Sequence, residues 1–215
     1  MYQAEGNLQE AAKLLVQVNT QTDSDPAVRI KLIQLRLERN HAEATQLVQA
    51  RQARLRFASG IEKGSRQNGL ALFQRVAGDT ASAKAAAEQA RNTLEPLKKE
   101  QPDNAFVAAA LAVAYAILDE KDSALKEAER AMMLVPSSKD RLSGPGFDEN
   151  LALVEMIIGE NNRATSILTR LLQTPYGGWL YSPAPITPAL LRLDPIWDPL
   201  RADPVFQKLC EEKQP

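Results

Sequence analysis

The sequence predicts an all-α fold, an α-solenoid of about five antiparallel helix pairs, and three observations support this prediction. Alanines that could lie where two helices cross closely recur every 33 to 41 residues, at Ala11, Ala44, Ala83, Ala124 and Ala164. A turn precedes each of these alanines, and almost no segment alternates apolar and polar residues as a strand would. Small side chains at the crossings favour stacked helix pairs, because one pair alone cannot bury both of its faces.

The repeated units follow one another along residues 1–175, with approximate bounds 1–26, 27–60, 66–102, 103–136 and 147–175. Gly6, Gly78 and Gly159 mark the turns of the first, third and fifth units. The later intervals between the alanines are longer than the first interval, so we expect insertions at residues 51–65 and 137–146. An ordinary bundle of unrelated amphipathic helices is the alternative to a repeat array.

The clearest unit spans residues 103–136 and carries a spaced set of small, aromatic and helix-ending residues. They are Ala112, Tyr115, Ala124, Ala131 and Pro136. In type and spacing they resemble the tetratricopeptide repeat (TPR), a helix–turn–helix unit of about 34 residues. Ala112 stands where that repeat usually has glycine, and Asp119 stands at its turn glycine. The resemblance implies a right-handed superhelix whose groove binds other proteins.

Residues 176–215 differ from the array and are expected to form a loop rich in proline and aromatic residues, followed by short capping helices. Thr187 with Pro188 predicts one helix start, and Asp203 with Pro204 predicts another. Trp197, Leu200 and Phe206 are expected to cap the apolar end of the stack, as solenoids require. Trp179 or Tyr181 is expected to pack onto the last repeat.

The string from Leu190 to Phe206 is similar to the C-terminal end of large bacterial regulators. In those proteins a TPR array follows a kinase, winged-helix or cyclase-like domain. The likeness extends over about residues 100–212 and implies a signalling or transcriptional role within a larger protein. The chain also begins inside a repeat, so we expect a longer polypeptide or a second subunit at this end, with a lone capping helix as the alternative.

The composition argues against most classes of enzyme and against a membrane protein. The 215 residues include 26 Lys and Arg and 27 Asp and Glu, so the net charge of −1 does not favour a general polyanion binder. The sequence has neither an apolar run of about 18 residues nor a signal-peptide pattern, and we expect a cytoplasmic protein that makes no membrane contact. Cys210 and His41 are single residues of their types. We therefore expect no catalytic residues, no cofactor and no metal site.

We predict a non-catalytic protein–protein interaction module. Its groove, called the groove face below, would be lined by Arg29, Ile33, Arg36, Leu72, Arg75, Phe106, Ala109, Val113, Ala116, Leu153 and Met156. A surface whose N-terminal part is basic and whose C-terminal part is apolar suits an amphipathic helix or an extended peptide. The partner would be a separate protein or peptide, or a neighbouring domain of the same polypeptide, and a homodimer through residues 1–40 is a further option. The alternative is that the basic residues form an ordinary solvent-exposed face and that the apolar residues belong to the hydrophobic core.

A nucleic-acid-linked regulator is the alternative function. Seven Lys and Arg residues lie between positions 29 and 56, and the stretch 29–66 could contact phosphates. Base-stacking aromatic residues are missing from this stretch except for Phe57. Single-stranded nucleic acid is usually bound through such stacking, so this function is less favoured than peptide binding.

Overall fold

The computed structural model describes residues 2–16, 25–52, 59–177 and 184–211. All regular structure within these ranges is helical, as predicted, and neighbouring helices pack against one another. No described helix combines the length and the apolar character needed to cross a membrane. The predictions for Arg54, Arg56, Phe57, Trp179 and Tyr181 concern residues outside the described ranges.

Nine helices of the described chain precede the C-terminal segment, which is residues 184–211. They are α1 (Leu8–Val16), α2 (Asp25–Leu37), α3 (His41–Gln52), α4 (Gly60–Val76), α5 (Thr80–Glu100), α6 (Ala105–Ile117), α7 (Lys121–Leu134), α8 (Gly144–Ile158) and α9 (Asn161–Leu171). The C-terminal segment contains α10 (Pro188–Leu193), a 3-10 helix (Pro195–Leu200) and α11 (Pro204–Glu211).

The same turn precedes α1, α3, α5, α7 and α9. Its central residue has left-handed backbone, with φ between 56° and 93°, at Gly6, Arg39, Gly78, Asp119 and Gly159. In every case the N–H of this residue donates to the carbonyl three residues earlier, and the following N–H donates to the carbonyl five residues before it. This is the Schellman ending of a helix, and glycine is the residue that adopts it at least cost. Arg39 and Asp119 adopt it without being glycine.

The five alanines of the predicted frame occupy equivalent places in these turns. Ala11, Ala44, Ala83, Ala124 and Ala164 each lie five residues after the left-handed residue, and all five are buried. Each donates its N–H to the carbonyl of the residue that follows the left-handed one. The alanine frame in the sequence therefore corresponds to a repeated backbone geometry in the structure.

Packing follows the order of the chain. The pairs α4 with α5, α6 with α7, and α8 with α9 are in close contact, and so are α2 and α3. Contacts between pairs connect α4 to α6, α6 to α8, α5 to α6 and α7 to α8. Nearly every side chain of α6 and α8 is buried, because each of these helices has neighbours on several sides.

The helix α4 begins earlier than we expected. The Ser59 hydroxyl accepts a hydrogen bond from the N–H of Glu62 and caps the helix, which starts at Gly60. Residues 60–65 were expected within an insertion and instead form the first turns of α4. Gly64 lies against the buried Leu94 of α5, and this close approach holds the two helices together.

The C-terminal segment contacts several of the preceding helices rather than only the last pair. The 3-10 helix, which holds Trp197 and Leu200, packs against α4, α8 and α9. Helix α11, which holds Phe206, packs against α9 and α10. The 3-10 helix thus contacts the last helix pair, α8 and α9, as the expected capping role of Trp197 and Leu200 requires, and it contacts α4 as well.

Candidate peptide-binding face

The groove face divides into a charged part and a buried apolar part. Arg29 is exposed, Arg75 is half-buried, and Phe106 at the start of α6 is 43% exposed. The remaining apolar members are buried, namely Ile33, Leu72, Ala109, Val113, Ala116, Leu153 and Met156. Something therefore already covers most of the surface that the sequence predicts as a groove.

The C-terminal segment supplies that cover. Ile186, Leu191, Ile196, Trp197 and Leu200 belong to the same buried cluster as Leu72, Val113, Ala116, Leu153 and Met156. The 3-10 helix contacts α4 and α8 directly, and the indole of Trp197 is 5% exposed. Large apolar side chains of this kind contribute most of the burial free energy of an interface. The C-terminal segment thus packs against the helices α4 and α8 that carry Leu72, Leu153 and Met156. Ala109 is instead buried in a separate cluster with Ala131 and Phe147.

The charged part binds the same segment through two arginine–aspartate pairs. Arg36 Nη2 lies 2.7 Å from Asp194 Oδ2, and both side chains are about nine-tenths buried. Arg39, which the sequence analysis did not include, donates from both terminal nitrogens to the two oxygens of Asp198, at 2.7 and 2.8 Å. The hydrogen bonds that Arg39 donates to Asp198 raise the pKa of Arg39. Burial raises the pKa of Asp198, but the hydrogen bonds from Arg39 and Arg201 outweigh it, so this pKa is lowered.

Each Asp-Pro dipeptide of the C-terminal segment contacts a different part of the array. Asp194 pairs with Arg36 of α2, Asp198 pairs with Arg39 just after α2, and Asp203 Oδ2 accepts a hydrogen bond from the Thr165 hydroxyl of α9. Asp194 and Asp203 also accept backbone N–H groups at the starts of the 3-10 helix and α11. The helix starts predicted at Pro188 and Pro204 are confirmed.

A buried carboxylic acid connects α8 to the C-terminal segment. The Tyr176 hydroxyl donates to Glu149 Oε2 at 2.6 Å and accepts the N–H of Ile186 at 2.9 Å. Burial raises the pKa of Glu149 to about 7, the hydrogen bond from Tyr176 lowers it, and the charges of Asp194 and Arg36 raise and lower it further. Burial and the Glu149 carboxyl also raise the pKa of Tyr176, so this hydroxyl keeps its proton. Glu149 precedes Leu153 by one helical turn and could have been added to the groove face on that spacing.

The N-terminal turn completes the contacts of the C-terminal segment. The Thr187 hydroxyl donates to the carbonyl of Ala4 at 2.6 Å and accepts the N–H of Leu190, which caps α10. Leu190 is buried with Ile33 and Leu37 of α2. The segment therefore contacts the first turn of the chain, the basic part of the groove face and the last helix pair of the array.

Cys210 and His41, the single residues of their types, both pack against neighbouring parts of the molecule. Cys210 is buried in α11, and burial raises the pKa of its thiol. The ring of His41 meets the ring of Phe73 edge to face, with centroids 5.7 Å apart. Among residues 2–16, 25–52, 59–177 and 184–211, no three His, Cys, Asp or Glu side chains are grouped as metal ligands.

Comparison with the models of known protein families gives no match to this chain. A search of curated proteins also finds no related sequence.

Proposed function

We propose that the chain is a non-catalytic protein–protein interaction module, a TPR-like α-solenoid of about five helix pairs that binds a peptide or a neighbouring domain on its groove face. One observation carries this proposal. The groove face already holds a proline-rich segment of short helices through buried apolar side chains and two arginine–aspartate pairs. A surface that binds such a segment in cis has the chemistry to bind one in trans.

The repeated turns support the solenoid part of the proposal. Five turns, four of which end a described helix, share a residue with left-handed backbone and the same two hydrogen bonds, and a buried alanine follows at the same distance. Contacts from α4 to α6 and from α6 to α8 place alternate helices side by side. In a TPR array the first helices of successive units are neighbours in this way, and together they line the groove. By resemblance, the module would belong to a larger bacterial signalling or regulatory protein.

Nucleic-acid binding by the basic stretch has less support. Lys31 pairs with Glu43 at 2.9 Å, and Arg36 and Arg39 pair with Asp194 and Asp198. Positive charge that is neutralised within the chain contributes little to phosphate binding. No contact of the described residues favours this alternative, and it stays a prediction.

A peptide selection tests the proposed function. The full chain with Asp198→Ala, which weakens the half-exposed pair with Arg39, would be used to select binders from a random peptide library. We expect selected peptides to slow amide hydrogen exchange in α2 and α8, and a chain with Lys84→Glu on α5 should select as the unchanged chain does. Peptides that protect only other helices, or a selection without enrichment, would contradict the proposal.

A further inference from the structure

We propose that the partner of the groove face carries a double Asp-Pro motif, two aspartates four residues apart, each followed by proline, with large apolar residues between them. This inference rests on the proposed function and deepens it by stating the chemistry of the peptide. In this chain the motif is Asp194-Pro195-Ile196-Trp197-Asp198-Pro199. The C-terminal segment is then the internal competitor of that partner.

The spacing of the two ion pairs selects the motif. Arg36 lies in the last turn of α2, and Arg39 is the left-handed residue that ends this helix. Both guanidinium groups reach an aspartate at 2.7 Å at the same time, so the spacing of the arginines matches the spacing of the aspartates on the 3-10 helix. Charge-assisted hydrogen bonds depend strongly on geometry, and the second pair therefore fixes the register set by the first.

Aspartate suits the first of these positions, Asp194, better than glutamate or asparagine. Asp194 Oδ2 binds Arg36 while Asp194 Oδ1 accepts the N–H of Ile196 and starts the 3-10 helix. Asparagine could cap the helix but would bring no charge to the arginine, and glutamate is a poor capping residue. Proline at the next position has the backbone angle that a helix start requires. At Asp194 the charge, the side-chain length and the following proline all contribute, whereas Asp198 contributes its charge and is followed by a proline inside the 3-10 helix.

The apolar residues between the aspartates provide the burial. Ile196 and Trp197 are buried on the cluster that includes Leu153 and Met156. Tryptophan is enriched among interface hot spots, which lie in well-packed, desolvated pockets. A partner needs similar apolar side chains between its aspartates in order to cover the same surface.

The C-terminal segment determines how tightly a partner binds, because it occupies the same face. A tethered segment competes at an effective concentration in the millimolar range when its tether is short. The unchanged chain should therefore bind a partner weakly, and a chain whose own aspartates are removed should bind it more tightly.

A labelled peptide of residues 190–203, titrated into the full chain, tests the inference by fluorescence anisotropy. The receptors are the unchanged chain, Asp194→Ala/Asp198→Ala, and that variant with Arg36→Glu/Arg39→Glu added. The comparison peptide has asparagine at both aspartate positions. We expect the aspartate variant to bind the labelled peptide at least about tenfold more tightly than the unchanged chain does, and to bind the asparagine peptide at least about tenfold more weakly. The added arginine changes should remove most of this difference.

The outcomes separate the inference from the proposed function. Equal binding of the two peptides would overturn the double Asp-Pro motif and leave a peptide-binding face. If neither peptide binds a receptor whose circular dichroism and melting temperature match those of the unchanged chain, both proposals fail. If the double variant does not fold, Asp198→Ala alone serves as the receptor, since that pair is half exposed. The single variant should still bind the aspartate peptide several-fold more tightly than the unchanged chain does, and no gain would overturn the inference.

Discussion

Glu149 faces groups from several elements of the molecule. Its carboxyl is hydrogen-bonded to Tyr176, and Arg36 of α2 and Asp194 before the 3-10 helix act on it electrostatically. One arginine thus serves two buried acids, and it is paired directly with Asp194. Asp194 already carries one negative charge, and an ionised Glu149 would add a second beside the same arginine. This agrees with the raised pKa of Glu149.

This arrangement predicts a pH-dependent stability. Unfolded Glu149 loses its proton near its usual pKa of 4.5, whereas the folded chain keeps that proton to about pH 7. The free energy of unfolding should therefore fall as the pH rises between these values, by about 3 kcal/mol from this group. Glu149→Gln keeps the shape and the acceptor for Tyr176 but does not ionise. Urea unfolding should show that the free energy of unfolding of the variant, relative to that of the unchanged chain, is higher at pH 8 than at pH 5. An equal difference at both pH values would refute the assignment.

Ion pairs between α5 and the following pair differ in burial. Lys84 pairs with Asp119, and both side chains are exposed, whereas Lys98 pairs with Glu127, whose side chain is only 2% exposed. Arg130 also lies 3.5 Å from Glu127. An exposed pair contributes little, but a buried carboxylate that loses a cation keeps its desolvation cost.

Methionine at the two lysine positions tests this difference. Lys98→Met should lower the free energy of unfolding by about 1–3 kcal/mol, because the Glu127 carboxylate keeps only Arg130. Lys84→Met should change it by less than about 0.5 kcal/mol. Chemical unfolding at one pH measures both, and similar losses in the two variants would show that burial of Glu127 is not the cause.

Helix α4 contains one glycine that the packing requires and another that it does not. A Cβ at Gly64 would lie 2.5 Å from Cγ of Leu94, whose side chain is fully buried in α5. A Cβ at Gly69 would have no atom within 4 Å. The close contact between α4 and α5 therefore depends on Gly64 and not on Gly69.

Alanine at these two positions should have opposite effects. Gly64→Ala should lower the free energy of unfolding by about 1–3 kcal/mol through overpacking. Gly69→Ala should raise it by up to about 1 kcal/mol, because alanine is the better helix former. Urea unfolding of the two variants measures both changes. A neutral Gly64→Ala would mean that α4 and α5 are not in close contact.

The helix pairs were predictable because their signals are local. The interval between Gly78 and Ala83 and the interval between Gly159 and Ala164 are short patterns that any single unit displays. The left-handed Arg39 carries no glycine signal, so its role at the turn was not apparent. The pair of Arg36 with Asp194 joins residues 158 positions apart, and no periodicity connects them. The sequence therefore predicts Arg36 on the groove face but not the segment that covers this face.

At the scale of the whole molecule, the C-terminal segment joins the two ends of the described chain. Thr187 and Leu190 contact the N-terminal turn and α2, while the 3-10 helix and α11 contact α9. Contacts of this kind connect helices that lie far apart in the sequence. The segment should therefore couple the unfolding of α2 to that of α9.

An engineered disulfide between the N-terminal turn and α10 tests this placement most directly. A Cβ at Gly6 would lie 3.1 Å from Cβ of Ala189, within a small shift of disulfide geometry. A cysteine at this position must adopt the left-handed backbone that Arg39 and Asp119 adopt in the equivalent turns. In a Cys210→Ser background, Gly6→Cys/Ala189→Cys should form an intramolecular disulfide under mild oxidation, seen by mass and by mobility on a non-reducing gel. The matched pair Gly69→Cys/Ala189→Cys should stay reduced. If the first pair stays reduced, or links only separate molecules, the C-terminal segment does not lie against the first helices.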